Sequence, residues 1–485
     1  MRVANVSDGS HDGDEEDSTM TVADVEMVRG VNATKPGRIP GSPLFHLREF
    51  SANRTAMLLH VARSHPHLGA MRVGLFDAVV VNAPSVAQEV LQTQAESFHK
   101  SLGLSLFLRP LLGDGLLTSE DSFHTRQRRL IAPALTHKRI AAYAATMAER
   151  AARTVAAWRE GETFDAGEEM MRLTLEIVGK TLFDAEVGAE AGAVGEALTE
   201  VMENTLATLG TLLPMPPFVP TRRNRASGRA RARLDAIIYG LIAERRRSGS
   251  EGSDLLSLLL AARDEDGSAM SDKQVRDEAM TLFLAGHETT ANALVWALYL
   301  LARHPEARAR AEAEAAPLVR RGTPVTIEDL KSLPYTLAVL KETMRLYPPA
   351  YIIGRRAMKD VIVPAEAGRP GETIRIGKNK VVFVNVLGIH RRPDLFPDPD
   401  RFDPTRFLGD REKELPRCGY LPFGAGPRVC IGNHFALMEG HLLLATIVGG
   451  ARLDLLPGEG EIGMAPLVTL RPRGAVRMQV VARSA

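Results

Sequence analysis

The apolar residues of the chain follow two periodicities. From Ser85 to about Leu260 they recur at helical spacing, as in Met170, Leu173, Leu175, Ile177 and Val178, with breaks at Pro110, Gly161 and Pro214 to Pro220. Helices are therefore expected to dominate this half. Met71 to Asn82 instead alternates β-branched residues, which predicts a strand hairpin. Short strand-like pieces recur at Val361 to Val363, Thr373 to Ile376, Val381 to Val386 and Val476 to Val481, most of them near Gly or Pro. One long helix opens at Ser271, with Gln274 placed to close a capping box, and runs to His304 and Pro305. At about 1.5 Å per residue it crosses most of a large domain. The pattern predicts a mainly α protein with small β-sheets, an α+β fold.

Composition narrows the function classes. The chain has 485 residues, 45% of them hydrophobic and 25% charged, which is ordinary globular composition with enough apolar surface for a large core. Its 60 basic and 59 acidic residues leave a net charge of +1, so no overall field attracts nucleic acid or anionic lipid. The longest apolar stretch, Ala291 to Ala302, contains Asn292 and is shorter than the ~20 residues that span a bilayer, so no membrane anchor is expected. Only two cysteines occur, Cys418 and Cys430, which favours a reducing, cytoplasmic home over a disulfide-stapled secreted one. Residues 1–35, acidic from His11 to Asp17, lack the pattern of a signal peptide and read as a disordered lead; residues 36–485 read as a single domain. The apolar, Pro-rich Leu212 to Pro220 followed by Arg222, Arg223, Arg225, Arg229, Arg231 and Arg233 reads as a loop leading to a solvated basic face.

The strongest chemical signal is Phe423, Gly424, Ala425, Gly426, Pro427, Arg428, Val429, Cys430, Ile431, Gly432, just before an apolar helical stretch from His434 to Ile447. Glycines let backbone approach a flat cofactor, and a helix start with its free N–H groups favours an anionic sulfur. Zinc requires more Cys or His ligands at short spacing than Cys418 and His434 supply. A lone thiolate points to haem iron. The string resembles the haem-binding loop of the cytochrome P450 family, F-x-x-G-x-R-x-C-x-G, met at Phe423, Gly426, Arg428, Cys430 and Gly432. Five such positions recur by chance less than about once in a million sites. The resemblance runs from roughly Pro36 to the C-terminus and implies haem b with Cys430 as axial ligand, a long central helix over the haem and the cysteine loop beneath it.

Other motifs take roles through the same resemblance. Ala285, Gly286, His287, Glu288, Thr289, Thr290 interrupts the apolar central helix with an acid beside an alcohol, and a buried carboxylate needs a partner or a task. The resemblance makes Glu288 and Thr289 the catalytic pair that relays protons to bound dioxygen, with Gly286 expected to let the helix open locally. Glu342 and Arg345, spaced i, i+3 on one helix face, resemble a structural ion pair completed by Arg401 of Pro399, Asp400, Arg401, Phe402. His124 and Arg128, four apart on a helical face, together with Arg355 and Arg428, resemble the cations that hold the haem propionates, with Arg356 competing for the place of Arg355. Phe423 and Gly424 complete the cofactor-binding set.

The reading that results is a monooxygenase that inserts one oxygen atom of O2 into a hydrophobic small molecule by hydroxylation or epoxidation. The family's catalytic module takes nearly the whole chain, so electrons are expected from a ferredoxin or flavodoxin with its reductase. Arg126, Arg129, Lys138, Arg139 and Arg417 are candidate docking cations for an acidic partner. Expected pocket walls are Leu104, Leu106, Met215, Phe218, Phe283, Ala285, Ala350 to Ile353, and Leu467 to Val468. Two rivals stand beside this reading. A peroxide-driven or non-oxygenating haem-thiolate enzyme shares the cysteine loop without needing the Glu288 and Thr289 pair. A haem sensor or carrier also has no use for that pair.

Overall fold

The central helix, Asp272–Arg303, organises the molecule. The computed structural model describes residues 33–101, 108–185, 219–249, 254–265, 267–365 and 372–482 with a few isolated positions besides. Ser271 caps the helix: its hydroxyl accepts from the Gln274 amide while the Gln274 side chain accepts from the Ser271 amide at 2.8 Å. His304 and Pro305 end it. From Val275 to Leu284 and from Ala291 to Leu301 the helix is buried on every side, which explains why it is apolar all round. Ala166–Phe183 packs along one flank, and Pro334–Leu346 and Asn433–Gly450 close the others. The helix runs unbroken through Gly286, so the expected local opening is absent. A Cβ on Gly286 would stand 3.1 Å from Val178, and the glycine serves instead to let the flanking helix approach closely.

The largest sheet has six strands in the spatial order Gly37–Arg38, Leu68–Val73, Phe76–Val81, Val381–Val384, Ile353–Ala357 and Phe98–Lys100. Its second and third strands form the expected hairpin, turning at Gly74 and Leu75 with Gly74 at φ +58°. The last pairing is antiparallel and sets Lys100 directly opposite Arg355. Val381–Val384 is shorter than expected because Asn385 caps a one-turn helix, Val386–Ile389, by accepting from the Gly388 amide. The short hairpin Met464–Pro466 with Leu470–Pro472 returns the chain to the central helix. Trp296, fully buried, stacks on Tyr347 with ring centroids 3.8 Å apart and donates to the Leu470 carbonyl.

The cysteine side rests on a buried polar strut. Arg345 binds both carboxylate oxygens of Glu342 at 2.7 Å, and both side chains are wholly enclosed. Arg401 does not complete this pair. Its guanidinium points outward to Asp403, and only its carbonyl accepts from Arg345. The third cation is Arg406, whose Nε lies 3.5 Å from Glu342. The sequence carries Pro-x-Arg-Phe twice, at Pro399 to Phe402 and at Pro404 to Phe407, and the second copy is the one turned inward. Among the described residues no helix is long and apolar enough to cross a membrane. Residues 1–32 of the acidic lead and the Pro-rich Leu212 to Phe218 fall outside the described residues, while Thr34, at the end of the expected disordered lead, pairs with Ile374.

Candidate active site

Cys430 is held by its own loop. Its amide donates to the Phe423 carbonyl at 3.0 Å, and the Val429 amide donates to Gly426 at 3.0 Å. Gly424 and Gly426 adopt φ +72° and +73°, and a Cβ on Gly426 would stand 1.8 Å from the Leu91 carbonyl oxygen, so no side chain fits there. The Cys430 side chain is accessible. Yet burial is the main influence on its thiol, raising its pKa, while the Gly432 amide and the Arg128 charge favour the thiolate. Cys418 differs: it is buried, and burial pushes its thiol up to about 11.

The central helix supplies a second accessible strip. Ala285 is exposed and Gly286 and Thr289 are half-buried within a helix otherwise enclosed on both sides of them. Their i, i+1, i+4 spacing makes one face. The Thr289 hydroxyl donates to the Ala285 carbonyl at 2.8 Å. Glu288 is buried and turned to another quarter of the helix. Arg471 Nη2 donates to its Oε1 at 2.8 Å and Nε at 3.0 Å, Thr469 donates to the same oxygen, and Asn292 donates to Thr469 at 3.1 Å. The acid and the alcohol are therefore neighbours in sequence that face different surroundings.

Basic groups converge beside the cysteine loop. His124, Arg128, Arg355 and Arg428 come together with Lys100, which the sequence reading missed. Burial, then the charges of Lys100 and Arg428, depress His124 to about 4, so it is neutral. Burial lowers Arg355 to about 10, reinforced by Arg428. Lys100 is pushed down to about 7, first by burial, with Glu120 opposing and Arg428 and Arg355 reinforcing. Its ammonium donates to the Leu116 carbonyl at 2.9 Å, and the Leu116 amide in turn donates to Glu278 at 2.8 Å. Arg128 donates to the Val429 carbonyl at 2.9 Å. Glu120 faces the cluster, 2.5 Å from Arg428 Nη2, while Arg428 Nη1 is buried with no hydrogen-bond partner among the described residues. Arg356, on the other face of its strand, is half-buried and lies opposite His99.

Like charges set directly across a strand pair repel, and buried cations are costly without anions. The residues present fit a planar metal-bearing group with carboxylates: this cluster would hold the carboxylates and Cys430 would hold the metal. No cluster of three or more His, Cys, Asp or Glu suited to a bare metal ion occurs among the described residues. Of the expected walls, Ala350 is exposed and Ile352, Ile353, Leu467 and Val468 are half-buried. Phe283 is not a wall: it is buried against Phe183, ring centroids 5.6 Å apart. Tyr351 is also buried, its hydroxyl donating to the Leu467 carbonyl and accepting from Arg54. Leu104, Leu106, Met215 and Phe218 lie outside the described residues.

His390 is a further residue the sequence reading missed. It is fully buried, its Nε2 accepts from the Leu421 amide at 2.7 Å, and its carbonyl accepts from Arg345. It thereby joins the Glu342 and Arg345 strut to the start of the cysteine loop. No spacing rule points to it, because the contact spans 31 residues.

Comparison with known proteins agrees with this architecture. The family model described as Cytochrome P450 matches residues 40–475. The chain is 37% identical over 431 residues to a cyclooctat-9-en-7-ol 5-monooxygenase of Streptomyces melanosporofaciens, covering 87% of this chain and 90% of the relative. It is 32% identical over 454 residues to a pentalenene oxygenase of Streptomyces avermitilis, covering 94% and 98%. A leukotriene-B4 omega-hydroxylase of Mus musculus is 30% identical over 457 residues, covering 88% and 85%. A family model spanning most of the chain and relatives matched along nearly their whole length leave one assignment: the chain belongs to the cytochrome P450 family, as a monooxygenase that binds haem b through a cysteine thiolate and requires O2 and a redox partner.

Proposed function

We propose that the chain hydroxylates or epoxidises a cyclic terpenoid, with Cys430 as the axial thiolate and Glu288 and Thr289 managing the protons. The observation that carries the site assignment is the accessible Cys430 thiol set in a dense surround beside a cluster of buried cations. In this reading His124, Arg128, Arg355, Arg428 and Lys100 hold the propionates, and Phe423 and Gly424 pack against the cofactor on the cysteine side. When bound, the haem supplies dioxygen binding and its reductive activation. Thr289, the alcohol on the accessible strip, holds a proton at its hydroxyl. Glu288 exchanges protons from its enclosed site, where Arg471 and Thr469 fix its position. Ala285, Ala350, Ile353 and Val468 offer an apolar surround that orients a hydrocarbon and excludes water.

The terpenoid class is supported by the names of the two Streptomyces relatives and by the apolar wall residues. A ferredoxin or flavodoxin with its reductase is the proposed electron source. The test is the carbon monoxide difference spectrum of the reduced protein beside Cys430→Ala, followed by titration with cyclic terpenes. A strongly red-shifted Soret band lost in the variant, and a spin-state shift with terpenes, are expected. A histidine-type band, or no response to any terpene while fatty acids bind, would overturn the cysteine assignment or the substrate class respectively.

A further inference from the structure

The helix Asp121–Ile131 has two working faces. His124 and Arg128 turn toward the cysteine loop, Arg128 reaching the carbonyl of Val429. Arg126 and Arg129, spaced i, i+3, turn the other way. The same surface continues through Pro133 to His137, whose ring lies 4.4 Å from that of His434, four residues beyond Cys430. The face bearing Arg126 and Arg129 therefore borders the cysteine side of the molecule.

These two arginines are already engaged. Both converge on Asp264: Arg126 binds one carboxylate oxygen, and Arg129 Nη2 binds the other at 2.7 Å. Arg129 Nη1 also binds Glu265 at 2.5 Å, and Arg126 Nη2 donates to the Ser268 hydroxyl at 2.8 Å. The acids sit on the short connection between Leu255–Ala261 and the central helix. That connection is shaped in advance: the Asp264 amide donates to the Ser268 carbonyl, the Gly267 amide donates back to Asp264 with Gly267 at φ +77°, and Arg263 bridges Ala269. Leu130, Pro133, Leu258 and Ala261 floor a surface cleft beside the arginine–acid contact. By contrast, Lys138, exposed and next to His137, has no carboxylate partner among the described residues.

We propose that the loop carrying Asp264 and Glu265 is a built-in acidic cover over Arg126 and Arg129, occupying the cations that a small acidic electron-transfer protein engages on the cysteine side. Asp264 and Glu265 present paired carboxylates to a pair of guanidiniums, as an acidic partner would. The partner first meets Lys138, and reaches the arginines only by displacing the loop. The cover thus sets partner affinity below what the sequence's cations alone would give. This rests on the acidic-partner reading above.

The test compares the holoenzyme with D264N/E265Q, each also carrying R126Q/R129Q, for binding and reduction by an acidic [2Fe–2S] ferredoxin across ionic strength. Reduction by dithionite and the carbon monoxide spectrum serve as controls on folding. Uncovering the arginines is expected to tighten ferredoxin binding about five- to tenfold at low salt and to steepen its salt dependence. R126Q/R129Q is expected to weaken binding strongly in the uncovered background and little in the wild type. Equal arginine effects in both backgrounds, or no gain in D264N/E265Q, would overturn the cover while salt-sensitive binding keeps the acidic-partner reading. Loss of salt-sensitive ferredoxin binding in every variant, with dithionite reduction intact, would overturn both.

Discussion

The cysteine loop and the accessible strip of the central helix are built differently. On the cysteine side the chain is pinned by backbone: the Cys430 amide on Phe423, Val429 on Gly426, Leu421 on His390, with glycines where no side chain fits. Behind it stands the enclosed ion pair of Glu342 and Arg345. On the central-helix side, Glu288, proposed above for proton handling, is positioned by side chains from a distant hairpin, Thr469 and Arg471. In the proposed assignment Cys430 is a metal ligand placed by main-chain bonds, and such a ligand tolerates little change because the residues of its loop share one hydrogen-bond frame. A wall made of side chains can be altered one residue at a time, which suits substrate selection.

If the contrast holds, changes on the cysteine side should abolish the holoenzyme and changes opposite it should alter turnover. Cys430→Ala is expected to eliminate the thiolate spectrum completely, and Gly426→Ala to approach that loss by driving a methyl group into Leu91. Glu342→Ala leaves Arg345 buried without its partner; a loss of about 3–5 kcal/mol in denaturant unfolding is expected. A loss under about 1 kcal/mol would mean the strut is dispensable. Arg471→Ala is expected to leave haem binding intact but to lower product formation by roughly tenfold to a hundredfold, with peroxide release rising, since proton handling by a positioned acid contributes on that scale or more. Arg471→Lys should recover part of the coupling; unchanged coupling in both variants would remove Arg471 from proton handling.

The smallest effect concerns acid. Burial depresses His390 to about 3, against an ordinary value of about 6.5. The unfolded chain then binds one more proton than the folded one between those values. The stability this neutral histidine contributes is full above about pH 6.5 and is lost as pH falls toward 3. His390→Gln, which keeps an acceptor for Leu421, should flatten the pH dependence of unfolding by about 1.4 kcal/mol per pH unit in that window. An unchanged slope would mean that His390 takes up its proton in the fold.

Much was legible early where the signal is local. The capping box at Ser271 and Gln274, the hairpin near Gly74 and the cysteine loop all depend on neighbours within a few residues, and each is found where its pattern lies. Readings that needed long-range packing fared worse. Arg401 and Arg406 occupy equivalent positions in two Pro-x-Arg-Phe repeats, and only the surrounding fold turns the second one inward. Phe283 looks like a pocket residue by its nearness to Ala285, yet two positions along a helix is a different face. Gly286 suggested an opening and instead accommodates Val178. Arg126 and Arg129 are held by Asp264 across 138 and 135 residues of chain, a pairing that no local pattern shows.

By itself the sequence determined the family, the thiolate ligand type and the order of helices and strands, because motifs and periodicities are properties of short stretches. The tertiary structure alone decided which charges meet. Lys100 joins Arg355 through a strand pairing 255 residues apart, Glu288 meets Arg471 across 183, and Arg129 meets Asp264 across 135. Electrostatic partnership depends on distance in space and on burial, and neither is a function of separation along the chain.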